Sequence, residues 1–174
     1  AGAIWARLEA SMPIVNAEHI GNASAAKLAA AGLSAAKIRT LQALAAATSG
    51  SKPALRIDRL VRASDEEVRE ALTAIHGVGP WTADIFVMFC LGRADAWAAG
   101  DLALQVGVAR AFEIGERVSA GEATEIAERW RPWRGVAARL IWTDYANLRQ
   151  RQQDKSNNNA PKPRVRHKQV QRRA

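Results

Sequence analysis

Gly77-Val78-Gly79-Pro80 sets the tightest limit on how this chain can fold. A segment with Val68, Leu72 and Ile75 on one helical face runs into these residues, and a second apolar segment opens at Trp81. The pattern predicts two helices joined by a tight turn. Glycine enters positive φ without steric cost and lets another backbone come close. Pro80 suits the first position of the second helix, where its missing N–H costs nothing. The N–H groups at that helix start lack intrahelical partners, so they form a ready anion site. A Gly-x-Gly pair alone reads as a plain turn between packed helices. Its continuation as Pro80-Trp81-Thr82-Ala83 points further, because the Thr82 hydroxyl adds a donor in the first turn. Gly77, Gly79 and Thr82 are the candidate anion-binding residues, and a nucleic-acid phosphate is the anion expected.

The rest of the chain reads as successive helices. Ser34 is a candidate N-cap, with Leu33 and Ile38 placed as a hydrophobic staple and Ile38, Leu41 and Ala45 at helical spacing. Ser64-Asp-Glu-Glu67 and Ser119-Ala-Gly-Glu122 are capping boxes, ahead of Val68 and Leu72 in one case and Ile126 and Trp130 in the other. Pro132 ends that last helix, and residues 134–148 make a further one with Val136, Leu140 and Ile141 expected inward. No alternation of apolar and polar residues is long enough for a sheet. The expected fold is all-α, a helical bundle over residues 1–148.

Beyond Leu148 the character changes. Residues 149–174 hold nine Lys/Arg against Asp154 alone and therefore carry the whole net charge of +8, while residues 1–148 are neutral overall. With so little apolar surface this segment is expected to be a disordered basic tail. It reads either as a solubilising tail or as a sequence-blind DNA tether acting by counterion release. The basic pI thus says nothing of a basic face on the folded part, and the hairpin alone argues for nucleic acid.

Cys90 is the only cysteine, so no internal disulfide is possible, and a reducing compartment such as the bacterial cytoplasm is expected. His19, His76 and His167 are too scattered for a zinc site. No run of 18 apolar residues exists, and no membrane association is expected. The N-terminal residues Ala1 to Leu8 carry no initiator Met and no signal-peptide pattern and read as the middle of a helix, so the chain is expected to be a fragment.

Asp101, after Gly100 and before Leu102, Val106 and Ala109, reads locally as an N-cap. Asp84 falls inside the second hairpin helix and Asp95 in the loop after it. Trp81, Ile85 and Phe89 share one stripe, which fits either core packing or a wall facing outward from the hairpin. Trp130 and Trp133 are expected to pack the last helices.

The segment Leu72 to Ala83, Asp101 with Leu102-Ala-Leu-Gln105, and Trp130-Arg-Pro-Trp-Arg134 leading to Ile141-Trp142 together resemble the helix-hairpin-helix DNA glycosylases, most closely their 3-methyladenine DNA glycosylase II branch. The resemblance covers roughly residues 1–147. The family carries a further segment, with the wedge that props open the DNA, before the position of this chain's first residue. The resemblance implies that Asp101 is the catalytic carboxylate, a role compatible with capping. It implies that Trp81 and Trp142 line the pocket for an extruded base. It also implies a monovalent cation, Na or K, on the main-chain carbonyls of Thr73, Ile75 and Gly77, with no other cofactor required. Relatives that also cut the strand place at position 81 a lysine that attacks C1′. Trp81 stands there instead, so hydrolysis by water is expected, leaving an abasic site. The single cysteine excludes the four-cysteine iron–sulfur cluster of some relatives.

The expected function is therefore a monofunctional DNA glycosylase of base-excision repair, acting as a monomer on alkylated purines in damaged double-stranded DNA. Methylation at N3 of adenine or N7 of guanine makes the base cationic, a better leaving group and a better partner for tryptophan faces. Two alternatives stay open at this point. One is a non-catalytic helix-hairpin-helix DNA-binding module; the other is a glycosylase for uracil, a mismatched base or an oxidised purine.

Overall fold

The computed structural model describes residues 2–158. The helices are α1 (Gly2–Ser11), α2 (Ala17–Asn22), α3 (Ala25–Ala30), α4 (Ala35–Thr48), α5 (Ile57–Leu60), α6 (Asp65–Thr73), α7 (Pro80–Ile85), α8 (Leu102–Ala111), α9 (Ala120–Ala127) and α10 (Arg134–Asn158). Among the described residues there is no strand. No described helix is long and apolar enough to cross a membrane.

Helix starts fall where the sequence places its caps. Ser34, Ser64 and Ser119 each accept from the backbone N–H three residues on. Glu67 and Glu122 close both capping boxes by accepting from the Ser64 and Ser119 backbone N–H at 2.6 and 2.8 Å. Backbone hydrogen bonds, ahead of those from the serine side chains, hold both glutamate carboxyls below their ordinary range. Each such cap contributes about 0.5–2 kcal/mol.

Two cores share α4. Ile38 and Ala45 face Leu8, Ile20 and Leu28 of α1–α3, with Met12 from the connection after α1. Ala43, Leu44 and Ala47 pack on the larger core of Val68, Leu72, Ala83, Val87, Met88, Leu104 and Val108. Apolar residues on both sides of one helix let α4 join the two halves.

α10 packs against α8 by a different face from the one expected. Gly135 and Ala138 are buried and Ile141 and Trp142 half-buried, whereas Val136 and Leu140 are exposed, Leu140 by 68%. Small residues decide this. A Cβ on Gly107 of α8 would lie 2.2 Å from Ile141 Cγ2, and one on Gly135 would lie 2.8 Å from the Ala94 carbonyl. The two glycines admit this face of α10 closely, and the apolar residues beside it are left outside. Trp133, expected to pack, is also exposed; Trp130 does pack, against Trp97 and Phe112.

α10 continues past Leu148 to Asn158. Gln and Arg are good helix formers, and the Gln150 amide donates to Asp154 four residues on, at 3.0 Å. Residues 149–158 of the segment read as a tail are therefore helical, and the remainder of that segment, residues 159–174, lies outside the described residues.

Candidate active site

The hairpin forms as its glycines require, with a longer connection than a two-residue turn. α6 ends at Thr73 and α7 starts at Pro80, so Ala74–Gly79 make the bend. Gly77 takes φ +81°, and a Cβ there would also overlap the Thr40 side chain of α4, so glycine is obligatory for two reasons. Gly79 differs. It has an ordinary extended backbone as N-cap of α7, and nothing lies within 4 Å of where its Cβ would be. No internal contact demands glycine at 79, and the space beside it is open. Thr82 is exposed beside it. Asp84 is not free for chemistry, because Arg69 of α6 donates to it at 2.6 Å and ties the two hairpin helices together. Burial pushes the Asp84 carboxyl up, and the Arg69 guanidinium reverses this only in part.

The three carbonyls considered for a cation present a mixed picture. That of Ile75 accepts from the Val78 N–H at 3.0 Å. Among the described residues no hydrogen bond ends on the carbonyls of Thr73 or Gly77. The Thr73 and Gly77 carbonyls are therefore the two of the three with lone pairs left for an outside donor or cation.

After α7 the helix widens into a π turn over Phe86–Cys90, where the Leu91 N–H bonds to the Phe86 carbonyl. The loop that follows is anchored by Asp95. Arg134 donates to Asp95 from Nε and Nη2 at 2.9 and 2.8 Å, and Arg131 from Nη1 at 2.8 Å. Desolvation pushes the Asp95 carboxyl up, but the hydrogen bonds and charge of Arg134, with the charge of Arg131, outweigh it and hold it below the ordinary range. Asp95 is thus a clamp between this loop and the start of α10, and the clamped loop delivers the chain to Asp101.

Asp101 caps α8, accepting from the Leu104 N–H on Oδ1 at 3.0 Å. The same oxygen accepts from Trp142 Nε1 at 2.9 Å, and Oδ2 accepts from Trp81 Nε1 at 2.8 Å. Three residues named from sequence, scattered over 81, 101 and 142, therefore form one cluster. Each carboxylate oxygen has about two lone-pair positions, so Oδ1 is filled and Oδ2 keeps one. Trp81 is 49% exposed, so it stands at the surface and not in the core. Gln105, which is buried, donates to the Ala99 carbonyl at 2.9 Å and fixes the turn before Asp101.

Arg139 carries no signal in the sequence, and Phe89 is marked there only as a member of the stripe with Trp81 and Ile85. Phe89 is exposed and stacks on Trp142, with ring centroids 5.6 Å apart and planes 24° apart. The Arg139 guanidinium lies over the Phe89 ring at 4.9 Å and donates to the Met88 carbonyl at 3.1 Å. The stripe Trp81-Ile85-Phe89 signalled Phe89, but it does not separate core from wall. The depression lined by Ala17, Gly21, Gln42 and Ala45 includes none of these side chains, and among the described residues no cluster of His, Cys, Asp or Glu could hold a metal ion.

Comparison with known proteins gives this arrangement a context. A crystal structure of a DNA-3-methyladenine glycosidase from Bacillus halodurans superimposes with a TM-score of 0.72 at 30% identity, over 86% of this chain and 69% of that one. The Schizosaccharomyces pombe 3-methyladenine DNA glycosylase Mag1, in complex with abasic DNA, gives 0.68 at 29% identity, over 80% and 69%. A probable bifunctional transcriptional activator/DNA repair enzyme AlkA of Mycobacterium tuberculosis is 40% identical over 78 residues, a stretch spanning 45% of this chain and only 15% of that protein. The profile described as HhH-GPD superfamily base excision DNA repair protein matches residues 1–132, which include the hairpin, the π turn and Asp101 with its Trp81 donor. The chain belongs to the HhH-GPD superfamily of base excision DNA repair proteins.

Proposed function

We propose that the protein is a monofunctional DNA glycosylase that hydrolyses the N-glycosidic bond of alkylated purines, 3-methyladenine and 7-methylguanine, in duplex DNA. The observation that carries this reading is Asp101 held on both oxygens by the Trp81 and Trp142 indoles, beside an exposed aromatic wall. The 3-methyladenine glycosylases among the structural neighbours, one of them on abasic DNA, support it. A DNA-binding module has no use for a carboxylate aimed by two indole donors, so the enzymatic reading is preferred to the non-catalytic one.

In this proposal the hairpin takes a DNA phosphate at Gly77, Gly79 and Thr82, and the damaged nucleotide turns out of the stack onto the aromatic wall. A monovalent cation on the carbonyls of Thr73, Ile75 and Gly77 would add positive charge beside that phosphate. The C1′–N bond breaks with its electron pair leaving on the base, which neutralises the methylated ring. Positive charge grows on the sugar, and Asp101 stabilises it from a fixed position. Water then bonds to C1′ and releases its proton to solvent. One lone-pair position stays open on Oδ2, which leaves room to face the charge growing at the sugar or to take the proton of the attacking water.

Asp101→Asn tests the assignment. The asparagine keeps an oxygen for Leu104 and Trp142 but turns its amide donor toward the Trp81 N–H and loses the charge. Release of 7-methylguanine should fall by about 100-fold to 1,000-fold or more, while abasic DNA is still bound within a few-fold. Undiminished excision by the variant refutes the role of Asp101.

A further inference from the structure

We propose that Phe89 and Arg139 are positioning residues for the candidate carboxylate, acting through the Trp142 indole. The inference rests on Asp101 being the reacting group's partner, and it names how Asp101 is aimed. Trp142 can donate to Asp101 Oδ1 at 2.9 Å only while its ring keeps one orientation. It is half-buried, at the rim of the packing between α8 and α10, so the core alone holds it on one side only. Phe89 supplies the rest, stacked on the indole at 5.6 Å.

Phe89 is itself half exposed and needs a brace. The π turn provides the opportunity. Its irregular bonding sends the Leu91 N–H to Phe86 and the Arg93 N–H to Val87, and Met88 receives Arg139 Nη2 at 3.1 Å instead of a backbone donor. That hydrogen bond fixes the guanidinium, which then lies over the Phe89 ring at 4.9 Å, within the range of cation–π attraction. Arg139 and Trp142 stand three residues apart on α10, on neighbouring positions of the helix surface. One helix therefore presents both the brace and the indole to the same phenylalanine. The path Arg139–Phe89–Trp142–Asp101 joins the π turn to the carboxylate, and neither Arg139 nor Phe89 touches Asp101.

Two readouts test this on the intact chain. The first needs no substrate: the indole N–H resonance of Trp142 in protein labelled with 15N-tryptophan, assigned by its loss in Trp142→Phe. Phe89→Leu keeps bulk without an aromatic face, and Arg139→Gln removes the cation. Both should shift that resonance, while Phe89→Tyr, which preserves stacking, should leave it near the wild-type position. The second readout is single-turnover release of 7-methylguanine at saturating enzyme. Phe89→Leu and Arg139→Gln should be slower by about tenfold to 100-fold, the scale of a displaced catalytic group, with abasic-DNA affinity unchanged within threefold or so, and Phe89→Tyr should retain the rate.

An unmoved Trp142 resonance in both variants overturns the proposal whatever the activity. So does a shifted resonance with a wild-type rate, or equal losses in Phe89→Leu and Phe89→Tyr. Absence of excision by the wild-type protein would overturn the proposed function instead, and the resonance would still decide whether Phe89 and Arg139 hold the indole.

Discussion

Replacing Gly107 with alanine probes the contact that brings Trp142 to Asp101. The new Cβ would lie 2.2 Å from Ile141 Cγ2, whereas ordinary contact starts at 3.4 Å, so about 1.2 Å has to be found. Ile141 cannot supply it by rotation, because a β-branched side chain in a helix has one strongly preferred rotamer. The backbones of α8 and α10 must part. Overpacking of this kind costs about 1–3 kcal/mol, and an overlap this deep belongs at the upper end. Helix propensity works the other way, since alanine in a helix interior is favoured over glycine by about 1 kcal/mol. The clash wins by about 2 kcal/mol, or roughly 4–8 °C in melting temperature for a domain of this size. Because Trp142 follows Ile141 directly, the same displacement stretches its 2.9 Å hydrogen bond to Asp101, and excision should slow as well. Thermal melts of Gly107→Ala, Ile141→Ala and the double variant check the reasoning. Ile141→Ala removes the obstructing methyl, so the double variant should be more stable than the summed single losses by about 1 kcal/mol or more. A Gly107→Ala protein that melts at or above wild type, or strict additivity in the cycle, would refute it.

Other outcomes follow from the same geometry. Gly79→Asp has room for its side chain and introduces a good N-cap for α7, so the melting temperature should hold or rise while the charge repels a phosphate. Affinity should fall alike for every DNA sequence, and unchanged affinity in a binding titration would make the hairpin a structural turn only. With Trp81 in place of an amine, borohydride should trap no covalent protein–DNA adduct, and product strands should stay intact until alkali is added. The depressed Asp95 carboxyl contributes stability that is full above the ordinary aspartate value of about 3.9 and is lost as pH falls through the lower folded value. Asp95→Asn should therefore lower the melting temperature at pH 7 and show a shallower decline toward pH 3, and parallel pH profiles would rule out that clamp.

The amino-acid sequence by itself determined what depends on near neighbours along the chain. Ser34, Ser64 and Ser119 cap helices because capping is settled within one turn, and the bend at Gly77 follows from a backbone that only glycine adopts freely. Asp101 was legible as an N-cap for the same reason, and its candidate role came from the motif around it. Choices between faces were not legible. Val136 and Leu140 have the spacing of an inward stripe, yet Gly107 and Gly135 draw α10 in by the neighbouring face. Backbone approach at a glycine outweighs the burial of two aliphatic side chains, and that comparison needs both partners in place. The stripe Trp81-Ile85-Phe89 was equally ambiguous, since periodicity gives a shared face and not what it faces. Tertiary structure alone set the two indole N–H groups on one carboxylate, across 20 and 41 residues of chain, and put Arg139 over Phe89. Hydrogen bonds at such separations depend on helix crossings and on a π turn that no local preference encodes, so the residues could be named in advance while their convergence could not.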